Sequence, residues 1–269
     1  GLTNITRIAA SSGSSLALSS DGTVWVWGYT CCGAAGNGLV PANDLDPEMH
    51  HLVPAQVHGL DQVVGIAAGG VHHMALQADG TVWTWGAGNS GQNGMGNLDS
   101  YSLPVRIPNL DHVVAIEARG NFFSLALRSD GTVWAWGLNS TGQLGLGGIA
   151  FSATPIQVPG LSEIAAIASG SGHALAMRRD GAVLAWGSNG TAQLGDGSLK
   201  DHADPRPALG PGGSGQLNLV QPSPAGFNQL PSGQIRLSAE SGTAPLTVQA
   251  TVINAIDPDG TITAYYWTS

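Results

Sequence analysis

Eight histidines and two adjacent cysteines are the residues of this chain best suited to hold a metal or attack a substrate. His50 and His51 follow Asp44, Asp46 and Glu48, a donor set that would suit a transition metal or calcium, although an exposed loop with solvated histidines has the same composition. His72 and His173 occupy like positions of a repeated pattern, which Phe122 and Ser14 fill elsewhere. A metal site needs converging ligands, so Phe and Ser at the equivalent positions favour structural, hydrogen-bonded histidines. His58, His112 and His202 stand apart. Cys31 and Cys32 cannot staple distant segments, which leaves two free thiols, a bond to another chain and a strained vicinal disulfide as alternatives. Glu117 and Glu163 lie beside apolar runs without an identifiable partner, so buried pairing or pore lining is expected ahead of acid-base catalysis. The chain contains no Gly-x-Ser-x-Gly, His-Glu-x-x-His or Cys-x-x-Cys pattern. We therefore assign no catalytic, cofactor-binding or metal residue, expect no cofactor, and do not expect an enzyme.

Elements that would position such residues are written into the sequence four times. Aligned on an Asp-Gly step, the copies read "SLALSSDGTVWVWG", "HMALQADGTVWTWG", "SLALRSDGTVWAWG" and "ALAMRRDGAVLAWG", with aspartates at 21, 79, 130 and 180. Upstream of each lies a short apolar run, "ITRIAAS", "VVGIAAG", "VVAIEARG" and "IAAIASG"; downstream lies "GAAGNG", "GQNGMG", "GQLGLG" or "AQLGDG". Asp-Gly between alternating runs signals a β-hairpin, because Gly accepts the positive φ of a tight turn. In "TVWAW", Val133 and Ala135 point to one face and Trp134 and Trp136 to the other. Asn139 and Asn189, which begin glycosylation sequons, fall where the repeat demands Asn for a turn; a third sequon begins at Asn4. Three or four strands per unit, with no helical period between units, predict blades of a β-propeller, each tryptophan face covering the next blade.

Charge and composition narrow the partners. Charged residues make up only 10% of the 269-residue chain, while its 40 glycines and 15 prolines suit an all-β protein rich in turns. The net charge is −9 and the only basic cluster is Arg178-Arg179, which disfavours nucleic acid. No apolar run is long enough to span a membrane. The chain starts at Gly1, which reads as a mature or excised segment.

The pattern "IxxIAxGxxHxLALxxDGTVWxWGxNxxGQLGxG" resembles the regulator of chromosome condensation repeat, over about residues 1–200. The resemblance implies a β-propeller, usually seven-bladed. Only four repeats are present, so either a small ring closes or an arc is completed by further chain or another subunit. The founder's exchange activity on a small GTPase is not carried over, since no basic tail or inserted wedge matches it. Leu184, which replaces a tryptophan, falls in the last repeat, whose next neighbour is absent, the first blade, or another molecule.

From 201 to 233 the chain is rich in Pro, Gly and Ser and reads as a linker or arm. Residues 234–269 then alternate again, and "GTAPLTVQATV" (242 to 252), Asp257 to Gly260 and "TITAYYW" (261 to 267) resemble the first half of a polycystic kidney disease-type immunoglobulin-like domain. "DPDG" reads as a turn before it reads as a calcium ligand. The resemblance implies an extracellular or cell-surface location. We therefore expect a non-catalytic structural or protein-interaction module, its contacts centred on the long insertion at residues 39–53. The partner would be a protein, a further copy joined through the C-terminal arm into a fibre, or a surface glycan. A fragment of a larger secreted adhesin, or of a carbohydrate-binding or carbohydrate-processing protein, with a ligand site in the propeller channel is the alternative.

Overall fold

The computed structural model describes residues 1–43, 46–120 and 122–219, together with the backbone of two strands, Ser232–Leu237 and Ala250–Ile256. It divides into two compact units, Gly1–Val220 and Gln221–Ser269. In the second unit the two strands pair antiparallel. The remainder of the stretch resembling a half-sandwich, including Asp257 to Gly260, lies outside the described residues.

The first unit is four four-stranded antiparallel sheets, each a meander in chain order. Blade 1 comprises β1 (Ile5–Ala10), β2 (Ser14–Ser19), β3 (Val24–Tyr29) and β4 (His50–Gln56). Blade 2 comprises β5 (Val63–Ala68), β6 (His72–Gln77), β7 (Val82–Gly86) and β8 (Tyr101–Arg106). Blade 3 comprises β9 (Val113–Glu117), β10 (Phe123–Arg128), β11 (Val133–Leu138) and β12 (Phe151–Gln157). Blade 4 comprises β13 (Ile164–Ser169), β14 (His173–Arg178), β15 (Val183–Gly187) and β16 (His202–Pro207). The last strand corrects the expected linker from 201. Residues 202–207 are the outer edge of blade 4, because Leu184, Ala185 and Gly187 pair with Pro207, Arg206 and His202. Residues 208–219 then fold back on the same blade, with Leu217 N–H donating to the Ala208 carbonyl at 2.7 Å. Over this span the chain is not a free strand for donation to another copy.

The Asp-Gly step does what its chemistry allows. Asp21, Asp79 and Asp130 each accept the N–H of the threonine two residues on at 2.9 Å, and Asp180 accepts that of Ala182 at 3.1 Å. The following glycines all have φ between 82° and 86°. A second glycine serves a different end. A Cβ on Gly69 would lie 2.4 Å from the His72 ring, and one on Gly120 or Gly170 would strike Phe123 or His173 in the same way. In blades 2 to 4 the ring at the start of the second strand fills the space that the glycine leaves. Strand pairing sets Ser14, His72, Phe123 and His173 opposite equivalent glycines. The repeat position therefore belongs to Phe123, which is buried, and not to Phe122, which is exposed.

The core is divided among the joints between blades. Leu16, Leu18, Val24 and Val26 of blade 1 pack against Ala75 and Trp85 of blade 2. Met74, Leu76 and Val82 pack against Ala126 and Trp136 of blade 3. Leu125, Leu127, Val133 and Ala135 pack against Ala174, Ala176 and Trp186 of blade 4. Leu184 packs in this last cluster, so it faces blade 3 and is no marker of a missing neighbour.

Each joint carries the same hydrogen bonds. The indole N–H groups of Trp85, Trp136 and Trp186 donate to the carbonyls of Ala34, Gln92 and Gln143 in the preceding blade, at 3.1, 2.8 and 2.9 Å. In return, the N–H groups of Gly38, Gly96 and Gly147 donate to the outer-strand carbonyls of Ser102, Ala153 and Ala203 at 2.8 to 2.9 Å. Four blades with three such joints form an arc. Among the described residues the two ends of that arc do not meet: Trp27 is only half-buried and Ile8 is 80% exposed at one end. At the other end, Leu175 and Met177 are half-buried where Leu125 and Leu127 are covered.

Candidate functional site

The structure sorts the candidate residues into joints, a rim loop and the inner face. His72 and His73 are both fully buried but serve different joints, because neighbours on a strand point to opposite faces. His72 Nε2 lies 2.9 Å from Ser124 Oγ of blade 3, and that hydroxyl donates to the Gln92 carbonyl at 3.1 Å. With the hydroxyl proton committed there, Nε2 must carry the imidazole hydrogen, which leaves Nδ1 facing Gly69 without a partner. His73 Nε2 lies 3.3 Å from Ser14 Oγ of blade 1, and its ring meets Trp85 edge-on at 5.7 Å. Burial holds both imidazoles down at about 3, so they are neutral. These are structural histidines. His173, at the open end, is only half-buried.

Asn139 and Asn189 are braces. Asn139 Nδ2 donates to the carbonyls of Gly147 and Ile149, and Asn189 Nδ2 to the Asp196 carboxylate and the Ser198 carbonyl. Both side chains are buried in the folded chain. Cys31 and Cys32 are free thiols with sulfurs 3.2 Å apart. In the other three loops a glutamine side chain accepts the N–H two residues before it, from Ser90, Thr141 or Thr191; the first loop has Ala34 instead and carries the thiol pair.

The insertion between β3 and β4 is built around Glu48. Glu48 Oε2 accepts from Asn37 Nδ2 at 2.8 Å and lies 3.1 Å from His51 Nε2, while its carbonyl accepts the Thr30 hydroxyl at 2.8 Å. Asp46 spends its carboxylate on the N–H groups of Ala42 and Glu48, and His50 packs against the Tyr29 ring. Asp44 lies outside the described residues. The donors that would have suited a cation brace the loop instead, and no group of three His, Cys, Asp or Glu is gathered for a metal among the described residues. Above this base, Leu39 and Val40 stand exposed, an apolar tip on a fixed stem.

The inner strands β1, β5 and β9 line a groove of about 470 Å³. Arg7 and Glu117 are its charged residues, and Ile8, Val64 and Val114 supply an aliphatic wall. Arg119 lines a second hollow beside it. Burial raises the Glu117 carboxyl, partly offset by Arg119 and by the Ser169 hydroxyl, which donates to it at 3.3 Å. Glu163 is exposed at the turn into β13. Acid-base chemistry would need a second titratable group opposite Glu117, whereas the side chain bonded to it is the Ser169 hydroxyl, a structural donor.

Comparison with known proteins gives the lineage. The model of the RCC1-like domain family matches residues 1–224. The human E3 ubiquitin-protein ligase HERC2 is 35% identical over 170 residues, which is 61% of this chain and 4% of that protein. Among solved structures, human WBSCR16 superposes with a TM-score of 0.67 at 25% identity, covering 77% of this chain and 53% of the other. Prp20p of Saccharomyces cerevisiae, described with its binding properties to Gsp1p and histones, gives 0.65 at 24% identity, covering 75% and 49%. The chain thus spans a small fraction of the ligase and about half of each solved structure.

Proposed function

Because the chain belongs to the RCC1-like domain family, we propose that it is a non-catalytic protein-interaction module whose partner is read by the rim loop between β3 and β4. The observation that carries this reading is the stem organised by Glu48 with Leu39 and Val40 exposed above it. Burying two such side chains against a partner removes apolar area from water, and the braced stem keeps the ordering cost low. Protein is also the class of partner named for Prp20p. The ligase activity of HERC2 is not carried over, since 4% of that protein is shared.

The test compares the wild-type chain with a Leu39→Asp, Val40→Asp variant, both immobilised, with bound proteins identified by mass spectrometry. A partner retained by the first and lost by the second is the expected outcome. Identical bound sets would remove the rim loop from the function. We also propose that the module works outside the cell, a reading supported by the resemblance of residues 242–267 to extracellular domains. Labelling of intact cells with a membrane-impermeant reagent checks it, since an internal protein would stay unmodified.

A further inference from the structure

Of the four loops that follow β3, β7, β11 and β15, the first is built differently, and the difference falls on its two thiols. Counted from Gly28, Gly86, Gly137 and Gly187, Cys32 stands where the other loops have Ser90, Thr141 and Thr191, and Ala34 stands where they have Gln92, Gln143 and Gln193. In those three loops the glutamine side-chain oxygen accepts the N–H of the serine or threonine at 2.8 to 2.9 Å. That N–H belongs to the peptide shared with the residue before, so the glutamine pins this peptide in place. Alanine has no acceptor to offer, and the peptide left unpinned is the one between Cys31 and Cys32. Cys32 also lies in the left-handed region, at φ 59° and ψ 25°, where Ser90, Thr141 and Thr191 do not. Its thiol donates to the Cys31 sulfur at 3.2 Å. These are the only two cysteines of the chain.

We propose that Cys31 and Cys32 are a thiol–disulfide exchange site, closing into a reversible disulfide with each other at the expense of a small disulfide such as oxidised glutathione. Cys31 is buried and Cys32 only half-buried, so Cys32 meets the oxidant. Its thiolate attacks one sulfur of the glutathione disulfide, a mixed disulfide forms, and one glutathione leaves. Cys31 then attacks the neighbouring Cys32 sulfur; the bond between the two cysteines forms, the bond to glutathione breaks, and the second glutathione leaves. The pair gives up two electrons and two protons, and the small disulfide takes up both. Burial holds the Cys32 thiol up at about 11, so the first step sets the pace and quickens as the pH rises. Neighbouring Cα atoms are about 3.8 Å apart, short of the roughly 4.4–6.8 Å that disulfides span, so the unpinned peptide must turn for the ring to close. A bond made under that constraint is readily reduced, which suits a switch and not a staple.

The turn is felt on both sides of the pair. It carries away the Cys31 carbonyl, which accepts the Ala34 N–H at 3.0 Å, and the carbonyl of Ala34 is in turn the acceptor of Trp85 across the first joint. On the other side, Thr30 ties the loop to the stem of the insertion through the carbonyls of Met49 and Glu48. The exchange site itself needs no partner at the rim, so it stands or falls independently of what Leu39 and Val40 bind.

Intact mass after equilibration of the full chain with mixtures of oxidised and reduced glutathione, with remaining thiols trapped by N-ethylmaleimide, tests the proposal. With two cysteines in the chain, an internal disulfide, a glutathione adduct and a covalent dimer all differ in mass. The expected product is a monomer two hydrogens lighter that takes no maleimide and is restored by dithiothreitol. Cys31→Ser should stop at the glutathione adduct of Cys32. Ala34→Gln supplies the missing pin, so the ratio of oxidised to reduced glutathione needed for half-oxidation should rise about three- to tenfold, the worth of one hydrogen bond. Circular dichroism of each reduced variant checks that the fold is kept. A lasting glutathione adduct on the unaltered chain, a covalent dimer, or two thiols that stay free in oxidised glutathione alone would overturn the proposal. Half-oxidation at an unchanged ratio in Ala34→Gln would overturn the part given to the unpinned peptide.

Discussion

His72 and His73 make stability depend on pH at the scale of single residues. Both are held at about 3 in the folded chain by burial, against 6.5 for the free side chain. Above pH 6.5 neither state is protonated and the pair contributes no pH dependence. Below it the unfolded chain takes up two protons that the folded chain refuses, so stability falls by up to about 1.4 kcal/mol per pH unit for each histidine until about pH 3. Urea denaturation at pH 7, 6 and 5 measures this slope, and His72→Phe, which installs the residue used at Phe123, should halve the part that His72 and His73 contribute. Trp186→Phe removes a buried hydrogen bond to the Gln143 carbonyl and should cost about 1–3 kcal/mol. Trp27→Phe, with no such bond, should stay within about 0.5 kcal/mol in dilute solution. Cys32 is pushed up to about 11 by burial and by its neighbour Cys31, so iodoacetamide should label it slowly at pH 7 and much faster as the pH rises toward that value.

The hairpin was the most legible element, and the reason is local. Asp130 and Gly131 determine their own turn through two bonds from Thr132 to the Asp130 carboxylate and one positive φ, and alternation in "TVWAW" fixes which face each side chain takes. The Gly-x-x-ring unit was less legible, since nothing in the residues between Gly69 and His72 announces that an imidazole will lie over the glycine. Misassigning the position to Phe122 came from that gap, for both phenylalanines are apolar and only the register with Gly137 separates them. Gly69→Ala should therefore destabilise by about 1–3 kcal/mol, because the ring must leave its place in the joint. Gly148→Ala, where an added Cβ meets nothing within 4 Å, is the control and should be nearly neutral. Thermal unfolding of the two variants distinguishes them directly. The outer strands were illegible for another reason: "HADPRP" carries two prolines and two charges, and only its place beside β15 makes it a strand.

At the scale of the molecule, the repeat foretold blades but left the closure open, because closure depends on what lies beside Trp27 and Gln193 and not on either residue's type. The candidate site was legible only as a length: the first insertion was expected to carry contacts, while the function of Glu48 as its organiser follows from three bonds to Asn37, His51 and Thr30 that no spacing reveals. The boundary at the end of the blades is also a structural finding. A chain ending at Leu219 should unfold at the same temperature as the blades of the full chain, whereas one ending at Lys200 loses β16 and the acceptor of Gly147 and should melt many degrees lower. Calorimetry of the two truncations is the measurement. The indoles of Trp85, Trp136 and Trp186 each reach a main-chain oxygen of the preceding blade, offered by alanine at 34 and by glutamine at 92 and 143. An acceptor that every amino acid possesses cannot be lost by substitution, so the loops are free to diverge toward new partners, and whole units can be duplicated or deleted without inventing a new seam.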